Sequence, residues 1–164
     1  MAAQIVLKLT GVTGESKVKG HEQEIDVQSF SHGLSNPSSV STGGGSGTGK
    51  ADFSSITIQK QTDMASSKLL LTCANGNHFD QGILTVIESG GSTPVEYLIY
   101  TLTQVFIDSV SIGESSGGGK PSESVSMSFA AIDLVYWSQN AQGGKDQKTE
   151  MGWDVKANAA TAGA

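Results

Sequence analysis

The sequence predicts a mainly β domain, a sandwich or a small barrel, with one helix packed against it. Apolar and polar side chains alternate with a period of two through most of the chain, which is typical of half-buried strands. With 21 glycines and only 16% charged residues, the composition indicates a surface that is polar rather than ionic. Connectors rich in glycine and serine separate the long strand-like runs, as in antiparallel sheets.

A length of 164 residues indicates one domain, since domains usually span roughly 100–200 residues. We place this domain over residues 1–158. The last six residues, 159–164, form an alanine-rich tail that we expect to be disordered.

Seven segments carry the strand pattern. In the second of them, Ile25, Val27, Ser29 and Ser31 share one predicted face, and the other face carries Asp26, Gln28, Phe30 and His32. One long segment has apolar residues on both faces, so we expect it to be covered on both sides. The predicted strands are Ala3–Thr10, Glu24–Gly33, Ala51–Lys60, His78–Ser89, Val95–Ile112 (the two-faced one), Ser122–Gln139 and Thr149–Asn158.

One segment, residues 62–76, has the pattern of a helix. Thr62 and Asp63 are capping candidates at its start, and the pair Asn75-Gly76 is typical of a helix end. At helical spacing, one apolar stripe is predicted, made of Met64, Leu70, Cys73 and Ala74.

Charge and hydropathy exclude two classes of partner. The net charge is −6 and the ten basic residues are scattered singly, whereas binding to nucleic acid depends on clustered lysine and arginine. No run of about eighteen apolar residues is present, so no membrane insertion is expected.

The N-terminal stretch MAAQIVLKLTG has the pattern of a strand rather than of a signal peptide. A single cysteine excludes an internal disulfide and fits synthesis in the reducing cytosol.

The stretch TGGGSGTGKADF, residues 42–53, resembles a phosphate-binding loop. Gly44 and the pair Gly49-Lys50 match most of the pattern G-x-x-x-x-G-K-[ST]. Ala51, however, stands where a serine or threonine must hold magnesium, and a strand pattern follows where a helix is required. We therefore predict no nucleotide site and no cofactor.

Catalytic and metal sites are not predicted either. The segment His21–Glu24, HEQE, begins like the zinc motif H-E-x-x-H but lacks the second histidine, and His32 and His78 have no partner at ligand spacing. Cys73 lies on the predicted apolar stripe, where a thiol is inert.

Carboxylates offer no predicted acid–base pair. Glu22, Glu24 and Asp26 follow one another along a strand, and no second acidic cluster faces them. We predict that the protein is not an enzyme.

The remaining features of the sequence fit a self-assembling protein better than an enzyme. The segment from Ser35 to Lys50 contains almost nothing that can pack, and a loop of more than about a dozen residues is usually functional or disordered. Together with the two-faced strand and the low charge, this loop suits a protein whose faces and edges contact other copies of itself.

Five segments in order resemble the Hcp family, the tube subunits of the bacterial type VI secretion system. The first, GESKVKGHEQEIDVQSFSHG, is similar to the family pattern G-E-S-x-x-x-x-H-x-x-x-I-x-V-x-x-[WF]-S-x-G, and the glycine-rich loop follows it. The others are DMASSKLLLTCANGNHF, VEYLIYTLTQVFIDSVS and PSESVSMSFAAIDLVYWSQN with GWDVKAN. The resemblance runs from about Gly14 to Asn158. Val18, His32 and Ser138 depart from residues common in the family.

The resemblance implies a β-barrel-like domain of two sheets with the helix on one side and a long extended loop. It implies a homohexamer whose rings stack into a tube, with type VI spike and sheath components and small effector proteins as partners. The protein would be cytoplasmic before assembly and then exported without a cleaved signal peptide. The family's inter-subunit and ring-stacking loop falls on Gly43, Gly44, Gly45, Ser46, Gly47, Thr48, Gly49 and Lys50.

Effector carriage in the ring lumen requires a polar, uncharged wall. We identify Ser29 and Ser31, on one face of the strand Glu24–Gly33, as candidate lumen-facing residues. The alternative is that these serines merely face a gap between strands.

Two other functions stay open on the residues alone. A monomeric β-sandwich that binds a ligand or carbohydrate would use the aromatic residues Trp137 and Trp153, which we expect to be exposed. A small hydrolase would need two carboxylates that converge across strands.

Overall fold

The chain is mainly β, with one helix and eleven strands in the residues that the computed structural model describes, 3–37, 49–88 and 93–163. Its elements in order are β1 (Ala3–Leu9), β2 (Ile25–Val27), β3 (Ser29–Ser31), β4 (Leu34–Ser35), β5 (Asp52–Phe53), β6 (Ile56–Gln61), α1 (Ser66–Asn75), β7 (His78–Glu88), β8 (Val95–Gly113), β9 (Ser122–Gln139), β10 (Lys145–Asp154) and β11 (Ala159–Ala162). The predicted fold class is confirmed.

Antiparallel pairing closes the main sheet into a barrel. Strands follow one another in the order β9-β8-β7-β1-β2, and β3 then pairs with β6, which pairs back onto β9. Besides β8, strand β9 pairs with two other strands: its first half pairs with β6 and its second half with β10. Strand β11 remains at an edge of the sheet, since it pairs only with β10.

The predicted strand Glu24–Gly33 is two strands. A bend at Gln28 separates β2, which pairs with β1, from β3, which pairs with β6. The bend shifts the alternation, so the predicted common face is wrong: Ile25 and Val27 are buried, whereas Ser29 and Ser31 are exposed. The strand predicted over Ala51–Lys60 is likewise divided into β5 and β6.

Helix α1 begins later than predicted. Asp63 lies before the first turn of the helix, and its Oδ1 accepts the amide hydrogen of Ala65 at 3.0 Å. Gly76 ends the helix at φ +71°. The buried residues of the helix are Ser66, Leu69 and Thr72, which form a different stripe from the predicted one. In contrast, Met64 and Leu70 are exposed and Ala74 faces solvent, whereas Cys73 is half-buried against the core.

The barrel core is mainly apolar and contains one buried charged pair. Lys60 of β6 and Glu123 of β9 are both fully buried in contact with each other. Neither residue was singled out by the sequence, because a lysine and a glutamate in alternating strands are normally placed on the solvent side. The apolar core contains Leu7, Leu9, Ile25, Ile56, Ile58, Leu69, Leu84, Leu102, Val105, Val125, Met127 and Ile132 among others.

Strand β8 differs from its prediction. Residues 95–101 are half-buried on both faces, so within one chain neither face is fully covered; the first fully buried side chain of the strand is Leu102. The tail also differs, because Ala159–Ala162 forms β11 against β10. A turn in which Asp154 Oδ1 accepts the Ala157 amide hydrogen at 2.8 Å reverses the chain, and small side chains suffice for backbone pairing.

Candidate functional site

Polar, uncharged side chains cover one outer face of the barrel. They point outward from β3, β6, the first half of β9 and the second half of β8, while the intervening residues point into the core. We call this surface the hydroxyl face. Its members are Ser29, Ser31, Thr57, Gln59, Ser109, Ser111, Ser124, Ser126 and Ser128.

Register aligns these residues in rows across the strands. One row runs Ser31, Thr57, Ser126 and Ser109, and the next runs Ser29, Gln59, Ser124 and Ser111. The sequence-predicted Ser29 and Ser31 therefore lie at one side of a four-strand surface of the same chemistry. That surface could have been found from the sequence, because S-E-S-V-S-M-S in β9 places four serines at a spacing of two.

Side chains of the hydroxyl face bind one another across strands. Thr57 Oγ1 and Ser126 Oγ share a hydrogen bond of 3.0 Å, and Gln59 Nε2 donates to Ser124 Oγ at 3.0 Å. Groups that are already paired have less to gain from an outside partner than unpaired ones. The face is hydrophilic, and these two bonds engage four of its nine members.

One carboxylate interrupts the hydroxyl face. A β-bulge between Ile107 and Ser109 adds Asp108 to β8. Its two oxygens accept hydrogen bonds from Ser55 Oγ at 2.7 Å and Ser128 Oγ at 2.8 Å. Sequence reasoning missed Asp108, because a bulge changes which face a residue takes and period-two alternation cannot reveal it.

The glycine-rich loop leaves the barrel through a short ribbon. Residues 34–53, which we call the arm, begin and end with β4 and β5, paired as Leu34 with Phe53 and Ser35 with Asp52. At the base, Ser54 Oγ accepts from the Gly33 amide at 2.8 Å and donates to the Gly33 carbonyl at 2.9 Å.

Of the predicted loop residues, Gly43, Gly44, Gly45, Ser46, Gly47 and Thr48 lie outside the described residues. Gly49 approaches the other side of the arm so closely that a Cβ atom there would lie 2.5 Å from the Pro37 carbonyl oxygen. Lys50 is exposed and is followed within two residues by β5. A strand rather than a helix thus follows the phosphate-loop-like pattern, in agreement with its rejection.

An aromatic cluster lies at the base of the arm and includes Phe53, the last residue of the arm. The His32 ring lies 5.7 Å from that of Tyr100, 5.9 Å from that of Phe129 and 6.3 Å from that of Phe53. Burial lowers the pKa of His32 from its usual value of 6.5 and raises the pKa of Tyr100 above 10.0. The neutral imidazole is therefore the form that suits this environment.

The remaining histidines, His21 and His78, lie outside this cluster. His21 Nδ1 lies 3.0 Å from Glu24 Oε2 and its Nε2 lies 2.7 Å from Glu96 Oε1, which ties the loop before β2 to the start of β8. The His78 ring lies 5.1 Å from the Phe106 ring, tilted by 41°. Within the part of the chain that the structure describes, no group of three histidine, cysteine or acidic side chains could hold a metal ion.

The tryptophans do not form the exposed platform expected of a carbohydrate-binding module. Trp153 is half-buried and packs against Phe53 with ring centroids 6.4 Å apart, and Trp137 is half-buried beneath Lys145 Nζ at 5.2 Å. Among the described residues, no helix is long and apolar enough to cross a membrane.

Comparisons with known proteins agree on one family. Residues 6–136 match the family described as "Type VI secretion system effector, Hcp". The chain is 39% identical to protein hcp1 of Pseudomonas aeruginosa over 96% of this chain and 98% of the relative.

Solved structures resemble the chain over nearly its whole length. A type six secretion system protein has a TM-score of 0.91 at 28% identity, covering 98% of this chain and all of its own. Hcp1 from Salmonella typhimurium has a TM-score of 0.79 at 32% identity, covering 98% of this chain and 99% of its own.

Proposed function

Because the chain belongs to the Hcp family of type VI secretion tube and effector proteins, we propose that six copies close into a ring and that rings stack into the exported tube. The hydroxyl face lines the lumen of each ring in this arrangement. The observation that carries the proposal is the chemistry of that face, which combines four strands of serine, threonine and glutamine with a single carboxylate.

A lumen wall must let protein cargo pass and leave. Hydroxyl and amide side chains keep the wall wet, and their mutual hydrogen bonds leave few strong sites for a passing chain. An apolar wall would hold cargo by the hydrophobic effect, at roughly 25 cal/mol for each Å² of apolar surface covered. The hydroxyl face avoids this, so small effector proteins can be carried and then released.

Other surfaces supply the contacts between copies. Residues 95–101 of β8 are half-buried on both faces, and Tyr136, which packs edge-on against Tyr97, is 44% exposed. Apolar surface left open on a single chain supports burial against a second chain. Head-to-tail contacts use two different patches at each joint and close when the rotation fits a ring.

The arm makes the contacts that reach beyond one subunit. Its loop, Gly43–Lys50, lies against a neighbouring subunit or ring, where the absence of Cβ atoms lets two backbones approach closely. The ribbon of β4 and β5 and the clasp between Ser54 and Gly33 fix the direction in which the arm leaves the barrel. Spike and sheath components act on the assembled tube, which carries the protein from the cytoplasm out of the cell.

The experiment that tests this function is the solution mass of the purified protein by light scattering, with electron micrographs of the same peak. We expect a mass of six chains of 16.9 kDa each and open rings. A monomer without rings at high protein concentration would contradict the proposal, and a ligand and glycan screen would then test the binding-module alternative.

A further inference from the structure

We infer that Asp108 and Phe106 form a subsite in the lumen that binds a basic side chain, arginine above all, of the exported cargo. The inference rests on the proposed function, because it assigns a partner chemistry to the face that lines the ring. It starts from the position of Asp108, which is the single charged residue that points outward in the described strand segments of the hydroxyl face.

The charge pattern of these segments is unusual. Residues 29–31, 56–61, 106–113 and 122–129 contain three charged residues, namely Lys60, Asp108 and Glu123. Lys60 and Glu123 are fully buried and in contact with each other. The carboxylate of Asp108 thus meets no basic side chain on its own face.

Asp108 is held in place but retains capacity for a ligand. Each oxygen accepts one serine hydroxyl, from Ser55 and from Ser128. A carboxylate has about four acceptor positions, so roughly two remain free for a donor from outside. A guanidinium group, with its planar fork of donors, fits such a carboxylate better than an ammonium group does.

An exposed aromatic ring adjoins this carboxylate. Phe106 is 37% exposed and stands opposite Ser128 in the pairing of β8 with β9, and Ser128 Oγ donates to Asp108. The ring of His78, which is paired with Phe106, lies 5.1 Å from that of Phe106 at an interplanar angle of 41°. A cation is attracted to the face of an aromatic ring, and a carboxylate beside the ring strengthens that preference.

The weakness of such a site suits transport. An exposed charge pair contributes about 0–1 kcal/mol, so one subsite releases its ligand readily. Six symmetry-related copies in a ring raise the overall affinity through effective concentration, without any stronger single contact. Cargo with several basic residues on its surface is therefore retained in the ring and still released at the end of transport.

The test uses two fluorescent probes of equal length, the peptides (Gly-Arg)4 and (Gly-Glu)4, with binding to purified rings measured by anisotropy at low salt. We expect the arginine peptide to bind and the glutamate peptide not to bind. Asp108→Asn keeps the size of the side chain and an acceptor oxygen, and Phe106→Leu keeps an apolar side chain. Each should weaken binding of the arginine peptide by roughly fivefold, as expected for one exposed charge or cation–π contact.

The matched control is Asp146→Asn, which removes the same charge from an exposed position in β10 and should leave binding unchanged. Equal losses in Asp108→Asn and Asp146→Asn would show non-specific attraction to an acidic protein and overturn the subsite. Intact rings that bind both peptides alike would overturn it as well, while leaving the proposed function in place. A wild-type protein that forms no rings would overturn both.

Discussion

Lys60 Nζ contacts Glu123 Oε2 at a point where both side chains are fully buried. The ammonium group also donates to Asp63 Oδ1 at 2.8 Å and to Ser66 Oγ at 3.2 Å, and Ser66 Oγ donates to Glu123 at 2.8 Å. These contacts join β6, β9 and the first turn of α1. Removing water from two charges is costly, so the network stabilises the fold only while every partner is present.

We predict that breaking this pair destabilises the protein strongly. Lys60→Met leaves Glu123 buried without its partner, which should lower the free energy of unfolding by about 3–5 kcal/mol. The double variant Lys60→Met/Glu123→Leu removes both charges and should recover most of that loss. Denaturant unfolding at one fixed protein concentration measures both values; a double variant no more stable than the single one would contradict this account.

The second prediction concerns acid pH and His32. Because burial lowers the pKa of His32 in the folded protein, the unfolded chain takes up a proton first as the pH falls. Above about pH 6.5, His32 should therefore not affect the free energy of unfolding. As the pH falls below that value, the free energy of unfolding should decrease, and it should level off below the pKa of His32 in the folded protein.

His32→Phe keeps an aromatic ring among Phe53, Tyr100 and Phe129 and cannot be protonated. Between about pH 7 and 5, the free energy of unfolding of this variant should depend less steeply on pH than that of the wild type. The difference in slope should correspond to the uptake of at most one proton. His78→Phe, at a more exposed ring, is the matched control. Denaturant midpoints measured across this range test the difference, and identical slopes in wild type and His32→Phe would exclude His32 as the cause.

The third prediction concerns the arm at Gly49. A Cβ atom there would lie 2.5 Å from the Pro37 carbonyl oxygen, so Gly49→Val must push the two sides of the arm apart. The clasp at Gly33 and Ser54 lies nearer the barrel and should hold, leaving the domain folded. We expect fewer and shorter tubes in electron micrographs but an unchanged circular dichroism spectrum.

Gly118→Val is its control, since a Cβ atom at Gly118 meets nothing within 4 Å. Tubes of normal length from Gly49→Val would show that the arm tolerates the separation. The same result from a variant with valine at Gly43, Gly44, Gly45, Gly47 and Gly49 together would remove the loop from ring stacking altogether.

Local patterns predicted the strands better than the faces of those strands. The long runs that became β7, β8 and β9 are confirmed because alternation and turn residues act over a few positions. The face of Ser29 relative to Val27 was wrong because a bend at Gln28 is set by pairing with two different strands, β1 and β6, far apart in sequence. The stripe of α1 failed for a similar reason, since the register of a short helix depends on what it packs against.

The candidate site was predicted in part. Ser29 and Ser31 were placed by resemblance, and the structure puts them on an exposed polar surface; their lumen position remains a prediction. Asp108 and the Lys60–Glu123 pair could not be predicted, because a bulge and a buried charge both contradict the usual periodic pattern. In contrast, the structure explains a glycine of the sequence motif G-E-S. A Cβ atom at Gly14 would collide with the Glu24 carbonyl.

The last prediction tests the lumen position of Ser31. In a Cys73→Ala background, Ser31→Cys and Ser67→Cys introduce thiols on the hydroxyl face and on the exposed side of α1. A small maleimide should label both positions. A maleimide carried on a protein-sized polymer should label Ser67→Cys in assembled tubes but reach Ser31→Cys only in dissociated subunits, because the closed ring excludes the polymer from its interior. Intact mass measures the labelled fraction, and equal polymer labelling of both thiols in tubes would place Ser31 on the outside.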